Sequence, residues 1–483
     1  MISFLISIVA LVVGYFILSK VAERIYGADA GNKTPALTHA DGVDFVPMPL
    51  WKIFLIQFLN IAGLGPIFGA IAGAMWGPVA FLWIVLGSLF AGGIHDYFSG
   101  MLSIRHKGAS ITEITGHYLG DGAKHFMRFF SVLVLLMVGT VFIIGPAKIL
   151  VDITNNFGGL TFWVILIFIY YILSTVLPID KLIGKIYPVF GLALLFMALG
   201  ILTMMFYNRL PIPELTLTNL QNFHTSPGKF PIFPFVFVTI ACGAISGFHA
   251  TQSPLMARCM TNEKQGRVVF YGAMVTEGVV ALIWAAIGMC FYGGATQLNG
   301  VMETNGGNAA LVVNQISNSL LGKIGGILAL LGVVAAPITS GDTAFRSARL
   351  IIADILKNKQ GPIVNRLLIS APLFLVAFVL TRLDFSIIWR YFAWSNQVLA
   401  TVVLWTITAF LLKEKKFYFI SLVPAVFMTA VTTSYILIAP EGFGLPAVAS
   451  QLTGAVLAAV LLLYTLVASK RKKKSGLVYG SGM

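Results

Sequence analysis

Phe58-Leu59-Asn60-Ile61-Ala62-Gly63-Leu64-Gly65-Pro66 lies inside an apolar run of membrane-crossing length, 51–75, and sets two glycines and a proline at mid-bilayer depth. Proline has no amide donor and clashes with the preceding turn, so the helix is expected to unwind there. About 180 residues later, in and just beyond the run 232–252, the theme returns as Ala241-Cys242-Gly243-Ala244-Ile245-Ser246-Gly247-Phe248-His249-Ala250-Thr251-Gln252-Ser253-Pro254. Backbone groups freed at that depth are tolerated only within protein or around a wet cavity.

The rest of the chain supplies the membrane. It has 483 residues, of which 58% are hydrophobic and 10% charged, where a soluble domain is about a quarter charged. Thirteen candidate spans emerge: 2–19, 51–75, 77–101, 127–148, 160–178, 181–206, 232–252, 267–292, 324–345, 363–381, 386–412, 417–436 and 447–468. The first, with no basic residue before it and Lys20 and Glu23 after it, reads as a retained span and not a cleaved signal. With the N-terminus outside, 26 of the 32 Lys and Arg fall on the cytoplasmic side; Lys148, Lys229, Lys323, Arg209, Arg382 and Arg390 do not. This positive-inside bias explains the +14 net charge without nucleic acid, and makes the Lys470-Arg471-Lys472-Lys473-Lys474 tail an orientation signal.

No loop exceeds about 30 residues, which leaves no room for a soluble catalytic or nucleotide-binding domain, and no GxxxxGK[ST] loop occurs. His249 and Ser253 are too loosely placed for a nucleophile and base, and no HExxH or GxSxG motif is present, so the chain reads as no enzyme. Cys242, Cys259 and Cys290 lack metal-ligand spacing and read as small apolar fillers; neither a disulfide framework, a zinc site nor a cofactor is expected. The stretch Gly108 to Lys124, with apolar Ile111, Ile114 and Tyr118, reads as a helix lying on the inner surface, and Asn32 to Asp44 as a polar cytoplasmic loop.

The two broken spans organise the whole. A leading span with its loop (1–50), five spans (51–206), five spans (232–412) and two trailing spans with a basic tail (413–483) place each broken helix first in a five-span unit. Because five is odd, the units cross the membrane in opposite directions. This is the inverted-repeat pattern in which half-helix N-termini face an anion and freed carbonyls hold a cation.

Between spans two and seven, a small carboxylate would meet Gln57, Asn60, Gly63 and Gly65 on one side and Gly243, Ser246, Gly247, His249 and Gln252 on the other, with Thr251 and Ser253 nearby. Glu277, ten residues into span eight, is the deepest carboxylate and suits a proton carrier or a structural acid. His95 and Asp96 read as lying near the cytoplasmic end of span three, and Lys185 as snorkelling from span six. The hydroxyls of Thr339 and Ser340 either bond back to their own helix or, with carbonyls of unwound span two, form an oxygen set for Na⁺. Asn396 is a further candidate substrate-binding residue; the aromatic and amide run that holds it, Trp389 to Gln397, either lines an outer vestibule or belongs to an aromatic belt.

Thr34-Pro35-Ala36, Asp41-Gly42-Val43-Asp44-Phe45-Val46-Pro47, the Ala62 to Pro66 break, Gly341-Asp342-Thr343-Ala344-Phe345-Arg346-Ser347-Ala348-Arg349 and Ile388 to Gln397 closely resemble the carbon-starvation (CstA) transporter family, over about residues 1–412. The chain looks like a short form of it. The resemblance implies the leucine-transporter fold of the amino acid/polyamine/organocation group, and bacterial uptake of pyruvate or peptides. It implies a possible Na⁺ site on Thr339, Ser340 and the carbonyls of Leu59 and Ala62; it also sets Lys185 where some proton-coupled relatives put a lysine, and the two implications conflict. The expectation is an all-α polytopic protein of the bacterial inner membrane, N-terminus outside and C-terminus cytoplasmic, importing pyruvate or a similar monocarboxylate with H⁺ favoured over Na⁺. Short-peptide uptake is the alternative, since a buried acid near the break would favour an ammonium group and the breaks themselves contain none. A metabolite-binding membrane sensor is the alternative of another class. Beyond membrane lipids and the carboxylate or peptide, no partner is expected from sequence, and the oligomeric state is left open.

Overall fold

The computed structural model describes residues 1–176, 183–383 and 385–474; the side chains of the basic run 470–474 lie outside the described residues. Among the described residues every regular element is helical. Eleven helices are long and apolar enough to cross a bilayer, and the pair Leu50–Ile61 and Gly65–Trp76, bent by 53°, makes a twelfth. The segment read as span seven consists of two half-helices, Ile232–Thr239 and Gly247–Ala257, too short to count singly and parted by residues 240–246. Counting the split pair as one span gives the thirteen read from the sequence; the span-two break falls at its Gly and Pro, whereas the span-seven break falls at Gly243 and Pro254 lies inside the second half-helix.

In chain order, span one is Ile2–Tyr26, span two the bent pair, span three Val79–Arg105, span four Asp121–Val151 and span five Gly159–Val176. Span six is Ile183–Tyr207 and span seven the split pair. Spans eight to thirteen are Glu263–Phe291, Gly325–Leu356, Ile363–Leu380, Ile387–Lys413, Phe419–Ile438 and Ala447–Ser469.

Packing reveals the inverted repeat. If spans two to six correspond to seven to eleven, a pseudo-twofold axis must exchange every contact for its mate. The chief contacts are exchanged in this way: span three packs on the second half of span seven while span eight packs on span two; span six packs on span two while span eleven packs on span seven; and spans four and nine, which are mates, lie along each other. Mates three and eight even share a local irregularity, a wide helical turn at Gly87–Gly92 and at Arg267–Gly272, a feature frequent at functional sites. Spans one and thirteen turn rows of large apolar side chains outward, among them Val9, Phe16, Val456 and Tyr464, as lipid-facing helices do.

Two expectations shift. Span three runs on to Arg105, so His95 and Asp96 are not at a helix end but deep within it and fully buried. The reason is that twelve residues, Gly93 to Ile104, follow Gly92 before the first arginine, Arg105. The polar loop after span one is largely exposed, but Asp44 at its end is buried against the arginines of span nine. The expected surface helix forms at Ile111–Leu119, with Ile111 and Ile114 facing inward.

Candidate substrate and ion sites at the two helix breaks

The two breaks touch. A methyl group on Gly65 would lie 2.2 Å from Cys242 Cβ, and one on Gly243, whose φ of +92° suits glycine, would lie 2.4 Å from Ala281 Cβ. Bulkier residues at either position would drive the half-helices apart. At the span-two break the amides of Gly63 and Leu64 have no backbone partner, and all four side-chain amide atoms of buried Gln57 and Asn60 lack a hydrogen-bond partner among the described residues. Unpaired buried donors and acceptors are costly unless a ligand or water meets them. Of the residues at this break Gly65 abuts span seven at Cys242, whereas the open face of Gly63 meets Phe142 on span four and Ser340 on span nine.

The span-seven break is satisfied differently, by side chains from its neighbours. Trp83 Nε1–H donates to Ile240 O (3.0 Å), Ser88 to Gly243 O (2.8 Å), and Gln397 Nε2–H to Ile245 O (3.0 Å). Asn396 on span eleven accepts from the Phe248 amide (2.6 Å) and donates to Ser246 Oγ (2.8 Å), capping the half-helix that begins at Gly247. Sequence left the run that holds Asn396 between vestibule and aromatic belt; Asn396 itself faces the bundle interior. Gln252 Nε2–H reaches Thr251 Oγ1 (3.0 Å) and Ser347 Oγ (3.3 Å). Ser253 bonds back to His249 O (3.0 Å).

His249 turns away from the backbone amides toward acids. Its Nδ1–H donates to Asp96 Oδ2 (2.9 Å), and Asp96 Oδ1 accepts from His95 Nδ1–H (2.7 Å). On the other side, His249 Nε2 stands 3.5 Å from Glu277 Oε2. All four side chains are fully buried. Asp96 and Glu277 each follow the wide turn of mated spans three and eight by four or five residues, so the inverted repeat brings one acid from each half onto the same imidazole. Sequence named each of these residues, but nothing in the spacing tied them together.

On span nine, Ser340 donates to Leu59 O (2.8 Å) and Ala336 O (3.1 Å), while Thr339 bonds back to Ala336 O (2.6 Å). Ala62 lies in the adjoining break, its amide bonded to Phe58 O (2.8 Å). The oxygens of Leu59 and Ser340 are thus neighbours. One turn on stands an acid that sequence reasoning did not single out: Asp342 Oδ2 accepts from Ser174 and from Tyr187 (2.8 Å), and Tyr187 also donates to Thr339 O (3.0 Å). The i+3 offset from Thr339 was the available signal. Lys185, by contrast, is exposed near the start of span six, outside this buried cluster.

Beyond Asp342 the same helix presents Arg346 and Arg349, which hold Asp44 at 3.1 and 3.8 Å. Burial pushes the Asp44 carboxyl up, but these arginines more than offset it and hold it below the ordinary carboxylate range. A cavity of about 550 Å³ opens at this point, lined by Asp44, Arg258, Glu113 and Lys357 among others. A narrower cleft sharing Arg258 and Leu350 continues inward to Thr251 and Ser347.

Comparison with known proteins agrees with this architecture. The chain is 44% identical over 340 residues to an uncharacterized membrane protein of Haemophilus influenzae, covering 60% of this chain and 91% of that one. It is 26% identical to the peptide transporter CstA of Campylobacter jejuni, covering 87% and 77% of the two chains. It is 24% identical to the pyruvate/proton symporter BtsT of Escherichia coli, covering 86% and 78%. The manganese transporter of Eremococcus coleocola, solved with an aromatic bis-isothiourea substituted compound, superposes with a TM-score of 0.55 at 13% identity over 89% of this chain and 99% of that one, which speaks for a shared leucine-transporter fold alone. The model of the family described as carbon starvation protein CstA matches residues 1–157, 155–324 and 318–435, and with thirteen crossings, two facing breaks and this coverage the chain belongs to the CstA family of membrane transporters.

Proposed function

We propose that the chain is an ion-coupled secondary active transporter that imports a small organic carboxylate, with pyruvate as substrate and a proton as coupling ion, by alternating access. The observation that carries this reading is the meeting of the two breaks, where unpaired amides of Gly63 and Leu64 and the unpartnered Gln57 and Asn60 offer donors to an anion without burying a countercharge. The similarity to BtsT, a pyruvate/proton symporter, supports pyruvate and the proton. Orientation follows the basic residues: a bacterial inner-membrane protein with the N-terminus outside and the 550 Å³ cavity facing the cytoplasm.

For the ion, the oxygen set of Leu59, Thr339 and Ser340 gains a carboxylate in Asp342. A proton on Asp342, or Na⁺ held by the same set with Ala62, neutralises this buried group; Lys185 is too exposed to share it. A second reading, short-peptide uptake, is favoured by one specific observation: two buried acids, Asp96 and Glu277, do stand beside the span-seven break, brought from spans three and eight. They offer a place for an ammonium group, and the Campylobacter relative is named for peptides.

Uptake of labelled pyruvate into proteoliposomes, with a pH gradient or a Na⁺ gradient imposed separately, tests both. Accumulation driven by the pH gradient and cancelled by a protonophore supports the first reading. A labelled dipeptide accumulating where pyruvate does not moves the assignment to the second, and accumulation of neither favours a sensor.

A further inference from the structure

The cluster around His249 has a property that transport of a carboxylate does not require. Cys242 Sγ, an imidazole nitrogen of His249 and a carboxylate oxygen of Glu277 lie within 4.8 Å of one another, and all three residues are buried. Neither Glu277 oxygen nor His249 Nε2 has a hydrogen-bond partner among the described residues. The 3.5 Å between His249 Nε2 and Glu277 Oε2 is long for a hydrogen bond. It is close to the roughly 3.3 Å that separates nitrogen and oxygen ligands bound tetrahedrally at about 2.0–2.1 Å to one ion.

We infer that Cys242, His249 and Glu277 form an intramembrane binding site for a borderline-soft divalent metal ion such as Zn²⁺. A thiolate, an imidazole and a carboxylate make a donor set that favours zinc or cobalt over Na⁺ or Mg²⁺. Thiolate and carboxylate together neutralise the ion, and three protein ligands leave a fourth position open. Ser246 Oγ, 3.6 Å from Cys242 Sγ, stands beside that position. No two ligand atoms of the set are more than 4.8 Å apart, against the roughly 3.6 Å expected between sulfur and nitrogen on one ion. Asp96 completes the arrangement as a positioning residue: its hydrogen bond to His249 Nδ1 fixes the tautomer that leaves Nε2 free for the ion, and His95 fixes Asp96 in turn. A bound ion ties the span-seven break to span eight and, through Asp96, to span three, so its occupancy locks one conformation.

The test uses the full chain, purified and reconstituted, titrated with Co²⁺ and then Zn²⁺. One Co²⁺ per chain with a thiolate-to-cobalt charge-transfer band, displaced by Zn²⁺, is the expected result. Cys242→Ser removes the band, Glu277→Gln weakens binding, and Asp96→Asn weakens it about 10- to 100-fold while keeping the band. The double variant C259S/C290S, which leaves Cys242 in place, retains the band and guards against variants that fail to fold. The inference is overturned if the wild-type chain binds no Co²⁺, if no charge-transfer band accompanies binding, or if C259S/C290S abolishes it. Uptake measured in parallel is a separate readout, so loss of metal binding leaves the transport reading standing and the reverse holds equally.

Discussion

Gly65→Ala probes the contact on which the site depends. The new methyl would sit 2.2 Å from Cys242 Cβ and 2.4 Å from its Sγ, against roughly 3.5–4.0 Å for carbons in favourable contact. The nearest atom is a Cβ fixed to the backbone, so no rotamer relieves the overlap, and the breaks must part by about 1.3–1.8 Å. Overpacking of this kind costs about 1–3 kcal/mol. If that falls on the closed conformation, uptake drops about 5- to 150-fold, since about 1.4 kcal/mol is a factor of ten. Two measurements check it: thermal unfolding of the purified variant, and substrate uptake in proteoliposomes. Cys242→Gly in the same chain removes both clashing atoms and restores uptake; Cys242→Ala, which keeps Cβ, does not. Wild-type stability and uptake in Gly65→Ala, or rescue by Cys242→Ala, refutes the meeting of the two breaks.

Four further outcomes are expected. Asp342→Asn reduces gradient-driven uptake at least about tenfold while substrate binding, followed by ligand-induced thermal shift, survives, as the proposed role of this acid in holding the ion requires. Ser340→Ala removes the donor to Leu59 O; a Na⁺-coupled protein loses its Na⁺ response, while a proton-coupled one keeps its pH response, as uptake under each gradient will report. Asn396→Ala uncaps the second half of span seven and lowers thermal stability by about 0.5–2 kcal/mol. Asp44 has a depressed folded-state pKa, so its ion pairs with Arg346 and Arg349 are fully present above about 3.8 and are lost only as pH falls through the lower folded value; an acid limb of uptake between about pH 5 and 7 therefore persists unchanged in position in Asp44→Asn.

The fold was legible because its signals are local. Length and hydropathy mark each span, and Gly63-Leu64-Gly65-Pro66 announces its break within a few residues. The odd number of spans between the breaks then carries the inverted repeat. Polar identity was legible too, since Gln57, Asn60, His249 and Glu277 are conspicuous in apolar runs. What stayed hidden is who meets whom. His249 joins Asp96 across 153 positions of chain, and no periodicity encodes that pairing. Cys242 comes close to His249, seven positions on across the break, and to Glu277 in another span, a proximity that leaves no trace in local spacing. Asp44 looked solvated because a polar loop usually is; its burial depends on arginines some 300 positions later.

That loop offers a window on the working protein. Asp41 caps the turn after it through the amides of Val43, Asp44 and Phe45, Asp44 grips span nine, and the Met48 amide holds Cys259 O at 3.1 Å, just past the end of span seven. Leu37, Thr38 and His39, a few residues upstream, are exposed. A spin or fluorescent probe on Thr38 would ride on a lever attached to span nine through Asp44 and to the chain just past span seven through Met48. Its distance to a second probe on the exposed Lys357 would then follow the cycle from outside, without a label ever entering the membrane interior.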